Sequence, residues 1–374
     1  MVRCSFFRIK FKLRNMAKPE NFREIQRGRG AASNPDGRYE NLQRVAEDDG
    51  WGGLDAPIAA LRTTLTIDTA KRVINYNDSP DIPFDRSLNP YRGCEHGCVY
   101  CFARPTHSYL GLSAGQDFES RLFYKPDAPE CLRQELAHPK YVCQPIALGI
   151  NTDAYQPVER KLELTRRLLA ILAEHQHPVS LITKSALIER DVDLLSQLAR
   201  DGLIHVFVSI TTLDRELART LEPRAAQPER RLETVAALAQ AGVPVGVMVA
   251  PVIPVLTDPA LENILKRARE AGAQEAGYVL LRLPHEVKDL FRGWLSAHAP
   301  DAAAHVMNRV RETRGGKDYA AKFGERMRGS GTYAEFIRDR FRLAYKRLGY
   351  PGMEPIRTDL FRPPQLPGAQ LSLF

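Results

Sequence analysis

Two apolar periods alternate along this chain, and the switch between them recurs. From Asp85 onward, short runs rich in β-branched and aromatic residues are each followed by ten or more residues with helical spacing, the pattern of βα units. The runs predict strands over 86–91, 145–150, 179–183, 204–210, 244–250 and 277–283. Between them the spacing predicts helices over 127–137, 158–174, 188–200, 228–241 and 259–271. Pro157 and Pro259 stand where helix starts tolerate proline, and Gly202, Gly242 and Gly272 stand just past helix ends. Six parallel strands joined by helices curl into a barrel open on one side. The expected fold class is therefore α/β: a partial (β/α)6 TIM-type barrel with an irregular N-terminal extension and a helical C-terminal region. The extension spans 1–60, the barrel 61–285, the helical region 286–349 and a flexible proline-rich tail 350–374.

Charge changes the picture at the two ends. Residues 1–30 hold nine Lys/Arg against two acids, and residues 305–362 hold fourteen against seven, so each end carries +7. Removing both from the net +8 leaves −6 between them, so the basic character belongs to the flanks. Basic flanks suit a polyanionic partner or are simply solvated surface. Tyr319, Phe323, Tyr333, Phe336, Phe341 and Tyr345 are interleaved with these cations, as a stacking surface would have them. Ile337, Phe341, Tyr345 and Leu348 also recur at helical spacing, which predicts instead that one face is buried against the barrel. Arg8, Lys10 and Lys12 interrupt the only N-terminal apolar stretch, and Pro251 and Pro254 interrupt Val245–Leu256. The expectation is a cytoplasmic protein with no export signal and no membrane partner.

Three of the six cysteines crowd into eight positions, while Cys4, Cys131 and Cys143 are scattered, which is not a disulfide framework. Cys94, Cys98 and Cys101 form C-x3-C-x2-C on a loop after the first predicted strand. Three thiolates on one short loop can cap three irons of a [4Fe-4S] cluster and leave the fourth open to a small chelating molecule. Gly93 and Gly97 let the backbone wrap closely round the sulfurs. The competing reading is a structural zinc site completed by His96 or His107, although these histidines read better as loop residues. Cys131 and Cys143 read as small buried hydrophobes.

Polar residues at later strand ends face the same end of the barrel. Thr152 and Asp153 follow the second strand, Lys184 the third, and Ser209 and Thr211 the fourth, with Arg224 beyond in Glu222-Pro223-Arg224. They are candidates to hold the amine, carboxylate and ribose of that small molecule.

The spacing with Tyr100 before the last cysteine matches the radical S-adenosylmethionine (SAM) pattern. Ser79–Phe84, Asn89–Cys101, Ala103–His107 and Tyr109–Leu112 together resemble an uncharacterised bacterial group related to spore photoproduct lyase. The resemblance implies reductive cleavage of SAM by a [4Fe-4S] cluster, an external electron donor, and a lyase-like DNA-repair reaction. In that lyase a tyrosine follows the last cluster cysteine and a hydrogen-donating cysteine precedes Thr-Ser-Asp of the second strand; here Phe102 and Ile150-Asn151 stand in those places. The cluster role transfers to Cys94, Cys98 and Cys101, and the radical relay does not. A radical enzyme acting on a protein or small molecule, or a non-catalytic metal-stabilised module, are the alternatives. Gln370–Phe374 resembles the short peptide by which repair proteins bind the bacterial sliding clamp.

Overall fold

The computed structural model describes residues 29–39 and 61–365. Six parallel strands, Arg86–Leu88, Ile146–Leu148, Val179–Thr183, Ile204–Ser209, Val245–Val252 and Glu275–Leu280, lie side by side in chain order. Ile74–Tyr76 adds an antiparallel strand to the outer edge of the first, so the sheet is a partial barrel and does not close. The third strand has the burial rhythm of a sheet packed on one side, with Val179, Leu181 and Thr183 buried and Ser180 and Ile182 less so. The buried row meets Leu168, Leu172, Leu195, Leu198, Val235, Leu238, Ile264 and Leu265 of the crossover helices in one continuous core. The other row lines the concave face. There Phe207 fills the space a Cβ on Gly246 would need, 2.6 Å away, and Met248 does the same for Gly277.

Helices Ala128–Leu136, Leu164–Glu174, Val192–Arg200, Pro228–Gln240 and Leu261–Glu270 occupy the expected crossovers. The helix expected over 158–174 is two, Glu159–Leu162 and Leu164–Glu174, broken at Glu163 with φ 51°. The cause is local. The buried carboxylate of Glu159 accepts Thr165 N at 3.1 Å on both oxygens and so starts the second helix anew. The helix expected from 188 opens as a tighter turn, Ala186–Asp191, capped by Ser185 Oγ at 3.2 Å from Leu187 N. The first strand, expected to reach 91, ends at Leu88; Tyr91–Arg92 pairs instead with Arg121–Tyr124 in a small separate sheet that also holds Thr64–Ile67.

The C-terminal region holds helices Val287–His298, Pro300–Glu312 and Thr332–Arg347. Residues 313–331 are not helical, because Gly315, Gly316, Gly324, Gly329 and Gly331 take positive φ. This segment bridges the open side of the barrel. Met327 O accepts from Leu280 N at 2.9 Å, while Gly324 N donates to Asp81 at 2.7 Å and Arg326 reaches Asp81 and Ser79. On the last helix Ile337 is fully buried and the Phe341 ring lies 4.8 Å from Tyr278, whereas Phe336 is exposed. The packing expectation therefore holds for that helix.

The free tail expected from 350 is corrected for its described part. Gly352, Arg357 and Arg362 donate their backbone N–H to Gln274, Gly202 and His175 carbonyls at 2.9, 2.9 and 3.0 Å, each just before a strand start. Phe361 packs on Tyr141 and His177 at 5.6 and 5.1 Å. The tail is thus a strap across the base of the barrel as far as these bonds reach. Gln370–Phe374, Cys4 and most of the N-terminal extension lie outside the described residues. Among the described residues no helix is long and apolar enough to cross a membrane.

Candidate active site

Cys94, Cys98 and Cys101 are free thiols on the loop beyond the first strand, at the C-terminal end of the barrel. Cys94 and Cys98 are buried and Cys101 is partly so. Burial pushes all three thiols up: Cys94 well above its ordinary value, Cys98 to about 12, and Cys101 less, since Arg104 opposes the shift. Bound iron would take the place of these protons, as thiolate ligation requires. No group of three or more His, Cys, Asp or Glu among the described residues is arranged to hold a single metal ion. Three thiols on one loop, each able to serve a different iron of a cubane, are a donor set that fits a [4Fe-4S] cluster.

The loop is held by a buried guanidinium. Arg104, fully buried, donates to Cys98 O at 2.8 Å, Gly97 O at 3.1 Å and Gly115 O at 2.8 Å, and pairs with Glu119 at 2.5 Å. Glu119 in turn accepts Gly30 N and Ala31 N at 2.9 and 2.8 Å. Part of the N-terminal extension therefore lies against the cysteine loop, with Gly30 at Gly97 and Val99. A Cβ on Gly30 would stand 1.8 Å from Gly97 O, so only glycine fits this close approach. Gln156 clamps the other side, donating to Gly93 O at 3.1 Å and accepting Glu95 N at 2.9 Å. Gly93 must stay glycine because Leu122, Phe118 and His107 all lie within 2.9 Å of where its Cβ would be. His107 is held neutral, its pKa lowered to about 4 by burial, and its Nε2 lies 3.0 Å from Arg121 O.

The strand-end residues fall into two groups. Asp153, Lys184, Ser209 and Thr211 form one connected set with Tyr100. Asp153 accepts Lys184 N and Thr183 Oγ1, each at 2.7 Å, and stands 3.3 Å from His96 Nδ1. Burial opposes its charge, but His96 and these donors outweigh it and hold the carboxyl at about 2. Lys184 Nζ donates to Ser209 Oγ at 2.8 Å and to Ala250 O at 3.2 Å, 6.0 Å from the Tyr100 ring centre. Thr152 Oγ1 is turned back to Tyr91 O at 3.2 Å. Arg224 lies apart, its guanidinium on Glu95 at 2.9 Å and its N–H on His96 O at 3.2 Å, against the cluster loop.

Two residues that sequence reading passed over organise this set. Glu222, buried to 2 % exposure, accepts from Thr211 Oγ1 at 2.6 Å, Tyr100 OH and Arg231, and lies 3.9 Å from Lys184 Nζ. Burial opposes ionisation of Glu222, yet Arg231 and Lys184 keep its pKa at about 2. Arg231, 1 % exposed, also donates to Ser209 O at 2.9 Å. The sequence signal was an acid and an arginine nine positions apart, one before and one inside a helix, which marks nothing until the fold joins them.

The sequence model of the Radical SAM superfamily matches residues 88–268. An uncharacterised protein of Mycobacterium tuberculosis is 37% identical over 233 residues, covering 62% of this chain and 67% of that one. One of Methanocaldococcus jannaschii is 28% identical over 189 residues, 50% of this chain and 68% of the relative. Among solved structures, a spore photoproduct lyase mutant with bound AdoMet and dinucleoside spore photoproduct superposes with a TM-score of 0.56 at 14% identity, covering 77% of this chain and 80% of that chain.

Proposed function

The chain belongs to the radical SAM superfamily, and from that premise we propose that this radical SAM enzyme acts on nucleic acid, DNA in the first place, in a repair-like reaction. It uses a [4Fe-4S] cluster and SAM; when bound, these supply a 5′-deoxyadenosyl radical. In our reading Cys94, Cys98 and Cys101 hold the cluster, and the loop that carries them is kept in shape by Arg104, Glu119 and Gln156. Lys184, at the third strand's end with Ser209 and Thr211 beside it, meets the SAM carboxylate and hydroxyls. Thr152 and Asp153 shape the turn that meets the amine, and Arg224 steadies the loop through Glu95. Glu222 and Arg231 fix Tyr100 and Lys184 in register. The observation that carries the enzyme reading is the set of three free thiols on one loop at the C-terminal end of the first strand. The DNA reading draws on the fold likeness to a lyase solved with a dinucleoside lesion and on the basic ends.

The test is anaerobic incubation of the reconstituted protein with SAM, reductant and ultraviolet-damaged oligonucleotide. We expect 5′-deoxyadenosine together with a changed nucleotide product. 5′-Deoxyadenosine whose yield no nucleic acid alters would turn the reading toward a protein or small-molecule substrate. A second element is recruitment to the sliding clamp through Gln370–Phe374. Deleting 370–374 should abolish clamp binding and spare SAM cleavage, whereas a full-length protein that ignores the clamp refutes it.

A further inference from the structure

At the sixth-strand side of the mouth two arginines lack the acidic partners that Arg104 and Arg231 have. Arg314, 3 % exposed, donates only to carbonyls: Glu325 O at 2.7 Å, Leu280 O at 3.3 Å and Leu281 O at 2.8 Å. Burial and then the like charge of Arg282 pull its pKa down to about 10, which places the two guanidiniums in each other's field. Arg282, two residues past the sixth strand, donates one N–H to Met327 Sδ at 3.4 Å, a weak acceptor, and its buried Nε has no partner among the described residues. Asp81, the acid whose charge Arg282 influences, is already bound by Arg326 and Gly324 N. Among the described residues no carboxylate lies within 4.0 Å of either guanidinium.

Arg282 is also in a telling place. Its Cζ stands 5.0 Å from the ring centre of Phe102, the residue that follows Cys101. Phe102 is 40 % exposed, and two further exposed rings, Tyr109 seven residues on and Tyr39 of the 29–39 segment, stand 5.3 Å apart. Neighbouring cations with no carboxylate in contact in a partly buried setting are costly, and a bound anion reduces the cost. A planar guanidinium fixed on an aromatic face offers a fork that fits two oxygens of a phosphate.

We propose that Arg282, stacked on Phe102 and backed by Arg314, binds a phosphate of the strand whose base enters the mouth, an assignment that rests on the nucleic-acid reading above. The same chemistry would suit the SAM carboxylate, so the experiment has two arms. Holoenzyme is titrated with a fluorescent single-stranded thymidine oligonucleotide of about ten residues across salt concentrations, and separately with SAM. Iron content reports the fold of each variant. Arg282→Gln should weaken oligonucleotide binding about tenfold and lower the slope of log Kd on log salt by about 0.7, the value of one single-strand phosphate contact. Arg282→Lys should keep the slope and lose part of the affinity, and Phe102→Leu should do the same. An oligonucleotide-binding parent matched by Arg282→Gln in Kd and slope overturns the assignment alone. Loss of SAM affinity with oligonucleotide affinity intact overturns it too, in favour of the SAM carboxylate. A parent that does not bind the oligonucleotide removes the nucleic-acid reading and this assignment with it.

Discussion

On the cluster-loop side of the mouth, cations meet carboxylates: Arg104 meets Glu119, Arg231 meets Glu222, and Arg224 meets Glu95. On the sixth-strand side, Arg282 and Arg314 meet carbonyls, a thioether and an aromatic ring. The same residue type therefore has two roles a short distance apart. Where the matched charges are also buried, as in Arg104–Glu119 and Arg231–Glu222, the protein is holding its own backbone in one shape, and removing either member strands the other. Where no carboxylate touches the guanidiniums, as at Arg282 and Arg314, removing one strands no acid.

The largest effect should come from the three cysteines that the matched side supports. Anaerobically reconstituted parent should carry about four irons per chain, and Cys94→Ala, Cys98→Ala or Cys101→Ala should each lose them, measured by iron assay and absorbance. Cys131→Ser and Cys143→Ser should retain iron. Stoichiometric zinc without iron would overturn the cluster assignment and the comparison built on it.

Next in size is the matched pair itself. Arg231→Met leaves buried Glu222 with only the more distant Lys184, 3.9 Å away, as counter-charge and should destabilise by about 3–5 kcal/mol in denaturant unfolding, with Glu222→Leu added to it restoring much of the loss. The acid limb tests the same pair. The folded pKa of Glu222, about 2, lies below its ordinary 4.5, so its contribution is complete above about 4.5 and fades as pH falls toward 2. Glu222→Gln should flatten stability across that window. An unchanged slope would show that the pair is not formed.

A smaller change probes residues 29–31 against the cysteine loop. Gly30→Val must move Gly97 or lift residues 29–31, at a cost of about 1–3 kcal/mol, and cluster loss on exposure to air should quicken. The smallest effect belongs to the unmatched side. Arg282→Met should shift unfolding by no more than about 1 kcal/mol, because no acid is left stranded. A loss as large as that of Arg231→Met would erase the distinction between the two sides.

The barrel was legible because each βα unit writes its own period: the strand over 179–183 and the helix over 228–240 were expected within a residue of where they lie. The cysteine loop was legible because its three thiols are close in sequence. What escaped depends on distance along the chain. Glu119 gives no local sign that it will bind Gly30 and Arg104, and Arg282 gives none that it will stack on Phe102. The short strands Thr64–Ile67 and Arg121–Tyr124 pair with each other across more than fifty residues and are too brief to show a period. Glu163 interrupts a helix whose apolar rhythm continues across it, since the break is imposed by the carboxylate of Glu159 rather than by any helix-breaking residue.

The strap formed by Gly352, Arg357 and Arg362 bears on how the molecule is made. It joins turns that precede the third, fourth and sixth strands, and through Phe361 it reaches Tyr141 just ahead of the second. During synthesis those turns emerge long before their partner, which is still within the ribosome when the barrel strands are already able to pair. The floor of the barrel therefore stays unlatched until residues 352–362 have been made and have reached it. Contacts this far apart in sequence are of the kind that form late in folding, so the loop of Cys94, Cys98 and Cys101 can be shaped by Arg104 and Glu119 before the other end of the barrel is tied down.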